Sequence, residues 1–369
     1  MSIHQIMNRS DRIRRIVQRA LSVLMLAACV VTQAVAGSDE RKGTGGALEL
    51  RLPVGPRGSA LGPPVTADAS GVDAVFWNPA GLATVERTDA VFSHTQYIAD
   101  MKLNYAAVAT HIPIGVLAFN AKVLSIGDIE VTTEDAPEGT GEVISPTFSV
   151  LGVSLSRQFT DRVMFGLTTN FVREQVQSLT AGGLSLDFGV QYLTGYHGLR
   201  FGMAMKNFGP GLEFKGDNLN VNVQPPGGDP TALNRTLGFS TASFEQPSYF
   251  TLAGSYDLVN DAQQRLCVMS AFQNNNFVGD NLSGGAEWTY RKMFSLRGSW
   301  FGTVNTPIDA STGETTSHIA SGDDLMSGWA FGAGANAKTG GSNLGVDVAW
   351  RGVRRFFDNT LELALRMAF

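Results

Sequence analysis

Groups able to do chemistry are sparse in this chain. Apart from His4 the histidines are His94, His111, His197 and His318, and none has the spacing of a metal motif. No Gly-x-Ser-x-Gly elbow, phosphate-cradling glycine loop, or haem or zinc spacing is present. His94 and His318 fall toward the same end of the predicted strands, where a hydrolase would need a histidine beside a Ser or Asp. As lone residues they read instead as polar groups at an interface. No catalytic residue, metal or cofactor is expected.

The second candidate is acidic. Asp128, Glu130, Glu134, Asp135, Glu138 and Glu142 occur with no Lys or Arg between Lys122 and Arg157. Hard cations take several oxygen ligands, so calcium or a partner is one reading. The preferred reading is a solvated hairpin turning at Pro137-Glu138-Gly139-Thr140-Gly141. The segment 208–246 adds Phe208, Phe214, Phe239 and Phe244 around Pro225-Pro226-Gly227-Gly228-Asp229-Pro230. These rings touch a client, line a solute entrance, or pack the loop against a rim. With 303–325, the acids and Phe214, Phe239 and Phe244 make a candidate partner surface. The formal charge of −5 and the absence of a long basic block argue against nucleic acid.

The elements that must position these groups begin after a leader. Residues 1–19 carry Arg9, Arg12, Arg14, Arg15 and Arg19, residues 20–31 are apolar, and Ala34-Val35-Ala36 precedes Gly37. That pattern is a signal peptide over 1–36. Its apolar stretch is too short to span a membrane as a helix. Leu26-Ala27-Ala28-Cys29 offers a competing lipobox, with lipid on Cys29. If the leader is removed, Cys267 is alone, so no internal disulfide is expected. Residues 37–56 have little to bury and read as a flexible arm.

From Thr88 the pattern changes to runs of about 9–11 residues with period two, the length of a tilted membrane strand. Leu184, Leu186, Phe188, Val190 and Tyr192 face one way, against Ser185, Asp187, Gly189 and Gln191. Leu199, Phe201, Met203 and Met205 alternate with Arg200, Gly202, Ala204 and Lys206. Runs of this kind predict fourteen strands, near 88–95, 103–111, 115–125, 146–157, 163–175, 181–192, 199–207, 247–257, 264–273, 280–290, 293–302, 326–337, 343–352 and 359–369. The long connections, 126–145, 208–246 and 303–325, follow strands three, seven and eleven, so a meander puts all of them on one side. Outer-membrane barrels have this asymmetry, and a soluble sandwich has no reason to. Glycine, at 42 of 369 residues, exceeds the usual share of about 7% and is spread through the strands.

The last strand ends on an aromatic: Leu361, Leu363, Leu365, Met367 and Phe369 alternate with Glu362, Ala364, Arg366 and Ala368. Leu365, Met367 and Phe369 resemble the carboxy-terminal signal read by barrel-assembly machinery. The other faces collect Lys122, Asp187, Arg200, Lys206, Glu287, Arg297, Asp347, Arg351, Glu362 and Arg366. In lipid each would cost about 2–4 kcal/mol at the midplane, so they belong in the lumen. Their mixed signs suit a filled barrel knitted by ion pairs better than a pore selecting one sign. The expectation is an all-β transmembrane barrel over 88–369, in outer-membrane lipid of a diderm bacterium.

Ahead of the strands, Phe76-Trp77-Asn78-Pro79-Ala80-Gly81 makes an aromatic pair entering an Asn-Pro corner. Residues 57–87 read as a plug in the lumen, with the corner turned against the inner wall and Trp77 as anchor. Trp77-Asn78-Pro79-Ala80-Gly81-Leu82 looks like the plug motif of FadL-type barrels, which have fourteen strands and a lumenal hatch. More specifically, the chain resembles the PorV/PorQ family. The likeness is carried by Gly58-Ser59-Ala60-Leu61-Gly62, Ala67-Asp68-Ala69-Ser70, Gly127-Asp128-Ile129-Glu130-Val131-Thr132-Thr133-Glu134-Asp135 and Pro137-Glu138-Gly139-Thr140-Gly141-Glu142. Phe159-Thr160-Asp161-Arg162, Leu186-Asp187-Phe188-Gly189-Val190-Gln191-Tyr192 and Lys206-Asn207-Phe208-Gly209-Pro210-Gly211 continue it. The chain departs at Pro63-Pro64-Val65, where the family has a Met-Gly-Gly-Ala-like stretch. The resemblance implies a non-enzymatic protein that receives exported cargo bearing a C-terminal sorting domain, as in type IX secretion. FadL-like uptake of hydrophobic solutes is the competing inheritance.

Overall fold

The computed structural model describes residues 43–196, 198–223, 235–305, 318–320, 328–353 and 358–369. The leader over 1–36, Cys29, His197 and the Pro225–Pro230 run lie outside them. Fourteen strands form one closed antiparallel barrel. They are β1 (Thr88–Gln96), β2 (Lys102–Ile112), β3 (Gly115–Ser125), β4 (Thr147–Thr160), β5 (Val163–Val176), β6 (Leu179–Leu193) and β7 (Arg200–Phe208). The second half holds β8 (Tyr249–Asn260), β9 (Gln264–Asn275), β10 (Asp280–Tyr290), β11 (Phe294–Asn305), β12 (Gly328–Thr339), β13 (Ser342–Arg351) and β14 (Thr360–Ala368). Each strand pairs with its sequence neighbours. The barrel closes where β1 meets β14, from Asp89 opposite Ala368 to Gln96 opposite Leu361.

The short turns 113–114, 161–162, 261–263 and 340–341 lie on one side, and the long connections on the other. We call these the periplasmic and outer ends, following the asymmetry of such barrels. Two connections carry hairpins of their own, Ile129–Glu130 with Val143–Ile144 and Asn220–Val223 with Arg235–Gly238. β4, β5 and β6 reach 14, 14 and 15 residues, longer than a membrane crossing needs.

Burial follows the expected alternation. Leu151, Phe165, Phe171, Phe188, Met203, Leu296, Phe331 and Leu363 are exposed on the outside. Lys122, Asp187, Lys206, Glu287, Arg297, Asp347, Arg351 and Glu362 are buried on the inside. This apolar exterior over a charged interior belongs to a multi-pass outer-membrane barrel.

The residues before β1 occupy the interior. A 3-10 turn (Leu48–Arg51) leads to α1 (Pro56–Leu61), then to 3-10 turns Pro63–Ala67 and Gly71–Asp73, α2 (Ala74–Trp77) and a last 3-10 turn Pro79–Thr84. Proline opens α1 and two of the 3-10 turns, where its missing N–H would be unpaired in any case. The path starts at the outer end, where Gly45 bridges Glu245 just ahead of β8, and ends at the periplasmic start of β1. The arm expected over 37–56 is therefore corrected within the described residues. Ala47, Leu50 and Val54 are buried: Ala47 and Leu50 against Val150, Val172, Ala181 and Leu212, and Val54 with Phe76 and Leu103. These few apolar side chains suffice because the wall supplies their partners.

Candidate functional site

The Asn-Pro corner is held by neutral contacts. Asn78 is fully buried; its Nδ2 donates to Thr66 O at 2.8 Å and to Val190 O at 3.1 Å, and its Oδ1 accepts from Ala80 N at 3.2 Å. One amide thus caps the following 3-10 turn and ties it to the wall. Pro79 and Ala80 press on two inward glycines. A Cβ at Gly166 would lie 2.2 Å from Pro79 C, and one at Gly189 would lie 2.1 Å from Asn78 Oδ1. Ser156 Oγ donates to Ala80 O at 3.0 Å, and Gln191 Nε2 donates to Thr66 O and Ala69 O. Trp77 Nε1 donates to Val54 O at 2.9 Å. Gly81 packs on Ala69.

Phe76 meets Trp77 edge-to-face at 5.1 Å and receives two ammonium groups. Lys206 Nζ lies 3.9 Å and Lys122 Nζ 4.8 Å from its ring centre. Lys206 also donates to Phe76 O and pairs with Asp187 at 3.4 Å. Cation–π contacts strengthen when both partners are desolvated, as here.

Elsewhere the interior is ionic. Asp68 on the inner segment accepts from Arg57 at 2.7 Å, Arg200 at 2.8 Å and Arg265 at 3.0 Å. Asp257 joins Arg200 and Arg265 from the other side, each at 2.9 Å. Arg57 reaches Glu287 at 2.8 Å, Glu287 pairs with Arg297 at 2.7 Å, and Arg297 pairs with Asp347. Arg366 bridges Asp347 at 3.1 Å and Asp73 at 2.9 Å. Burial alone would lower the charge affinity of Arg57, but Glu287 and Asp68 hold its proton far above the ordinary arginine range. The network therefore runs continuously around the wall from β7 to β14 and twice through the inner segment.

Above these contacts, in the outer half of the lumen, lies a cavity of ≈ 220 Å³. Leu52, Pro53, Pro63, Phe76, Trp77 and Phe301 give it apolar walls. Arg51, Thr251, Gln273, Asn281 and Arg351 add polar groups. Its volume exceeds that of cavities of about 150 Å³ that accept benzene. Sequence reasoning found Phe76 and Trp77 and assigned Arg351 to the lumen, but missed Thr251, Gln273, Asn281 and Phe301. They sit at inward parity positions near the outer strand ends, which was the available signal.

The residues of the predicted partner surface have different surroundings. Asp128, Glu130, Glu134, Asp135, Glu138 and Glu142 are all exposed along the first outer hairpin. Ser145 Oγ donates to Asp128, and Gln177 Nε2 donates to Glu142 at 2.9 Å. Among the described residues no three His, Cys, Asp or Glu side chains converge as a metal site. Phe214 and Phe244 meet at a tilt, with ring centres 5.6 Å apart, on the Leu50–Leu212 cluster, so they pack the loop onto the rim. Phe239 is 65% exposed. His94 Nδ1 pairs with Asn104 Oδ1 at 2.8 Å on the outside of the barrel. His318 falls in a three-residue strand beside β11, far along the chain from it. Leu365, Met367 and Phe369 are exposed on the closing strand, and Phe369 exchanges two backbone hydrogen bonds with Thr88.

No family model and no curated protein matches the chain by sequence. Solved structures do match it by fold. The toluene transporter TodX of Pseudomonas putida superposes with a TM-score of 0.51 at 11% identity, over 85% of this chain and 97% of that one. The CymD monoaromatic hydrocarbon channel gives 0.50 at 11% identity, over 85% and 96%. At that identity the likeness speaks for the architecture alone: a closed fourteen-stranded antiparallel barrel.

Proposed function

We propose that the protein is a non-enzymatic, passive uptake channel for small hydrophobic solutes. The cavity in the outer half of the lumen carries this reading. It is bounded by aromatic and aliphatic side chains, lies on the side from which a solute arrives, and is large enough for a single aromatic ring. The hydrocarbon channels that share the fold support the same reading. Leu52→Trp would fill the cavity from its inner-segment wall. In cells lacking other such channels, the wild type should give saturable uptake of radiolabelled toluene and Leu52→Trp should reduce it at least tenfold. Uptake by the wild type no faster than by cells without it would defeat the proposal.

Cargo handling of the PorV/PorQ kind rests on the exposed acidic hairpin and Phe239 at the outer mouth. Affinity capture from membranes tests it. Recovery of proteins sharing a C-terminal sorting domain would support that role, and capture of barrel-assembly components alone would not.

A further inference from the structure

We propose that Glu49 and Glu174 form a proton-operated latch, which holds the segment from Gly45 to Leu52 against the outer end of the wall. Both carboxyls are buried, at 2% and 5% exposure. Glu49 projects from the Leu48–Arg51 turn and faces Glu174 near the outer end of β5. Neither Glu49 oxygen has a hydrogen-bond donor. Two buried carboxyls in contact cannot both be ionised, and a proton shared between them supplies the missing donor.

The remaining charges nearby do not remove that requirement. Lys122 on β3 is the cation acting on Glu49, but its Nζ donates to Leu50 O and Leu52 O, both at 3.4 Å, and lies over Phe76. Behind it Lys206 is already paired with Asp187. Glu245 meets the segment through backbone, with Gly46 N donating to its carbonyl at 3.1 Å, and Arg51 on the same turn donates to Asn275. Burial first, and then Glu174, pushes the Glu49 carboxyl up to about 8. A carboxyl raised in the seated state favours seating fully below its ordinary range, near 4.5, and loses that contribution as pH rises to about 8. Between those limits each rise in pH weakens the seating.

Leu48, Arg51, Leu52 and Pro53 line the cavity, so release of this segment opens its wall. That consequence rests on the uptake reading; the latch itself does not. Hydrogen exchange of the full chain in detergent micelles, corrected for intrinsic rates, reads it without any solute. The Leu50 and Leu52 amides, which donate to Ala47 O and Glu49 O, are the reporters. From pH 6 to pH 8 their protection should fall at least tenfold in the wild type. Glu49→Gln, a neutral isostere with its own donor, should hold protection constant. Glu174→Gln leaves Glu49 buried but gives it a donor when ionised, so it should make the fall smaller than in the wild type, and it carries the test if the first variant does not assemble. Constant protection in the wild type, or an equal fall in both variants, would overturn the latch. Uptake that fails while the latch holds would overturn only the channel reading.

Discussion

The inner segment is held to the two sides of the barrel by different physics. Toward β7–β14 guanidinium–carboxylate pairs reach across the lumen, alongside close contacts at Gly202 and Gly332. Toward β4–β6 the contacts are neutral: the Asn78 amide, Ser156, Gln191 and two glycines that let backbone lie on backbone. Long charged side chains fix orientation over a range of separations and must all be paired, because each stranded charge in a dry lumen is expensive. Glycine contacts impose one separation and tolerate no added atom. The ionic side gives the interior its register, and the glycine side gives the corner its depth.

The largest effect should come from the shared carboxylate. Asp68→Asn leaves Arg57, Arg200 and Arg265 with one fewer partner each, and breaking buried pairs of this kind costs about 3–5 kcal/mol. Thermal unfolding in detergent should show the loss, and the inner segment should become open to protease while the barrel persists. A variant as stable as the wild type would mean that the ionic side contributes little.

The second test addresses depth. At Gly189 even one added carbon would lie 2.1 Å from Asn78 Oδ1 and 2.8 Å from Pro79 Cδ. Gly189→Val should therefore lift the corner off the wall at about 1–3 kcal/mol, the range for overpacking. Disulfide trapping between cysteines placed in the corner and on β6 should report the displacement.

How far the chain could be read before folding depended on where each partner lay. The strands were legible because membrane-facing and lumen-facing residues must alternate, so Leu361 through Phe369 and Leu184 through Tyr192 declare their faces one by one. The lumenal charges followed from the same parity, and Lys122, Asp187 and Glu287 are indeed buried. Which acid pairs with which arginine did not, since Arg57 and Glu287 are 230 residues apart. The segment after Gly43 was opaque for a related reason. Ala47, Leu50 and Val54 stand among glycines and charges in the sequence; the apolar surroundings of Ala47 and Leu50 come from β4–β6 and Leu212, and those of Val54 from Phe76 and Leu103. The contact of Phe214 with Phe244 likewise depends on the loop at 212–244 folding back onto Leu50.

The third test separates the two kinds of contact most cleanly. Asn78→Ala removes donors to Thr66 O and Val190 O and the cap on Ala80 N, without leaving a charge behind. Truncating a buried, bonded amide should cost about 2 kcal/mol, since the two carbonyls lose a partner in a dry site. Asp68→Asn and Asn78→Ala sit on opposite sides of one segment, linked through Thr66 and Asp68 two residues apart. If the segment moves as a rigid body, the second loss adds little once the first has released it, and the double variant falls short of the sum. If the two sides act separately, the losses add to within about 0.5 kcal/mol. The continuous backbone from Arg57 to Asn78, anchored at both ends to the wall, favours coupling, so a double variant less destabilised than the sum is the expected result.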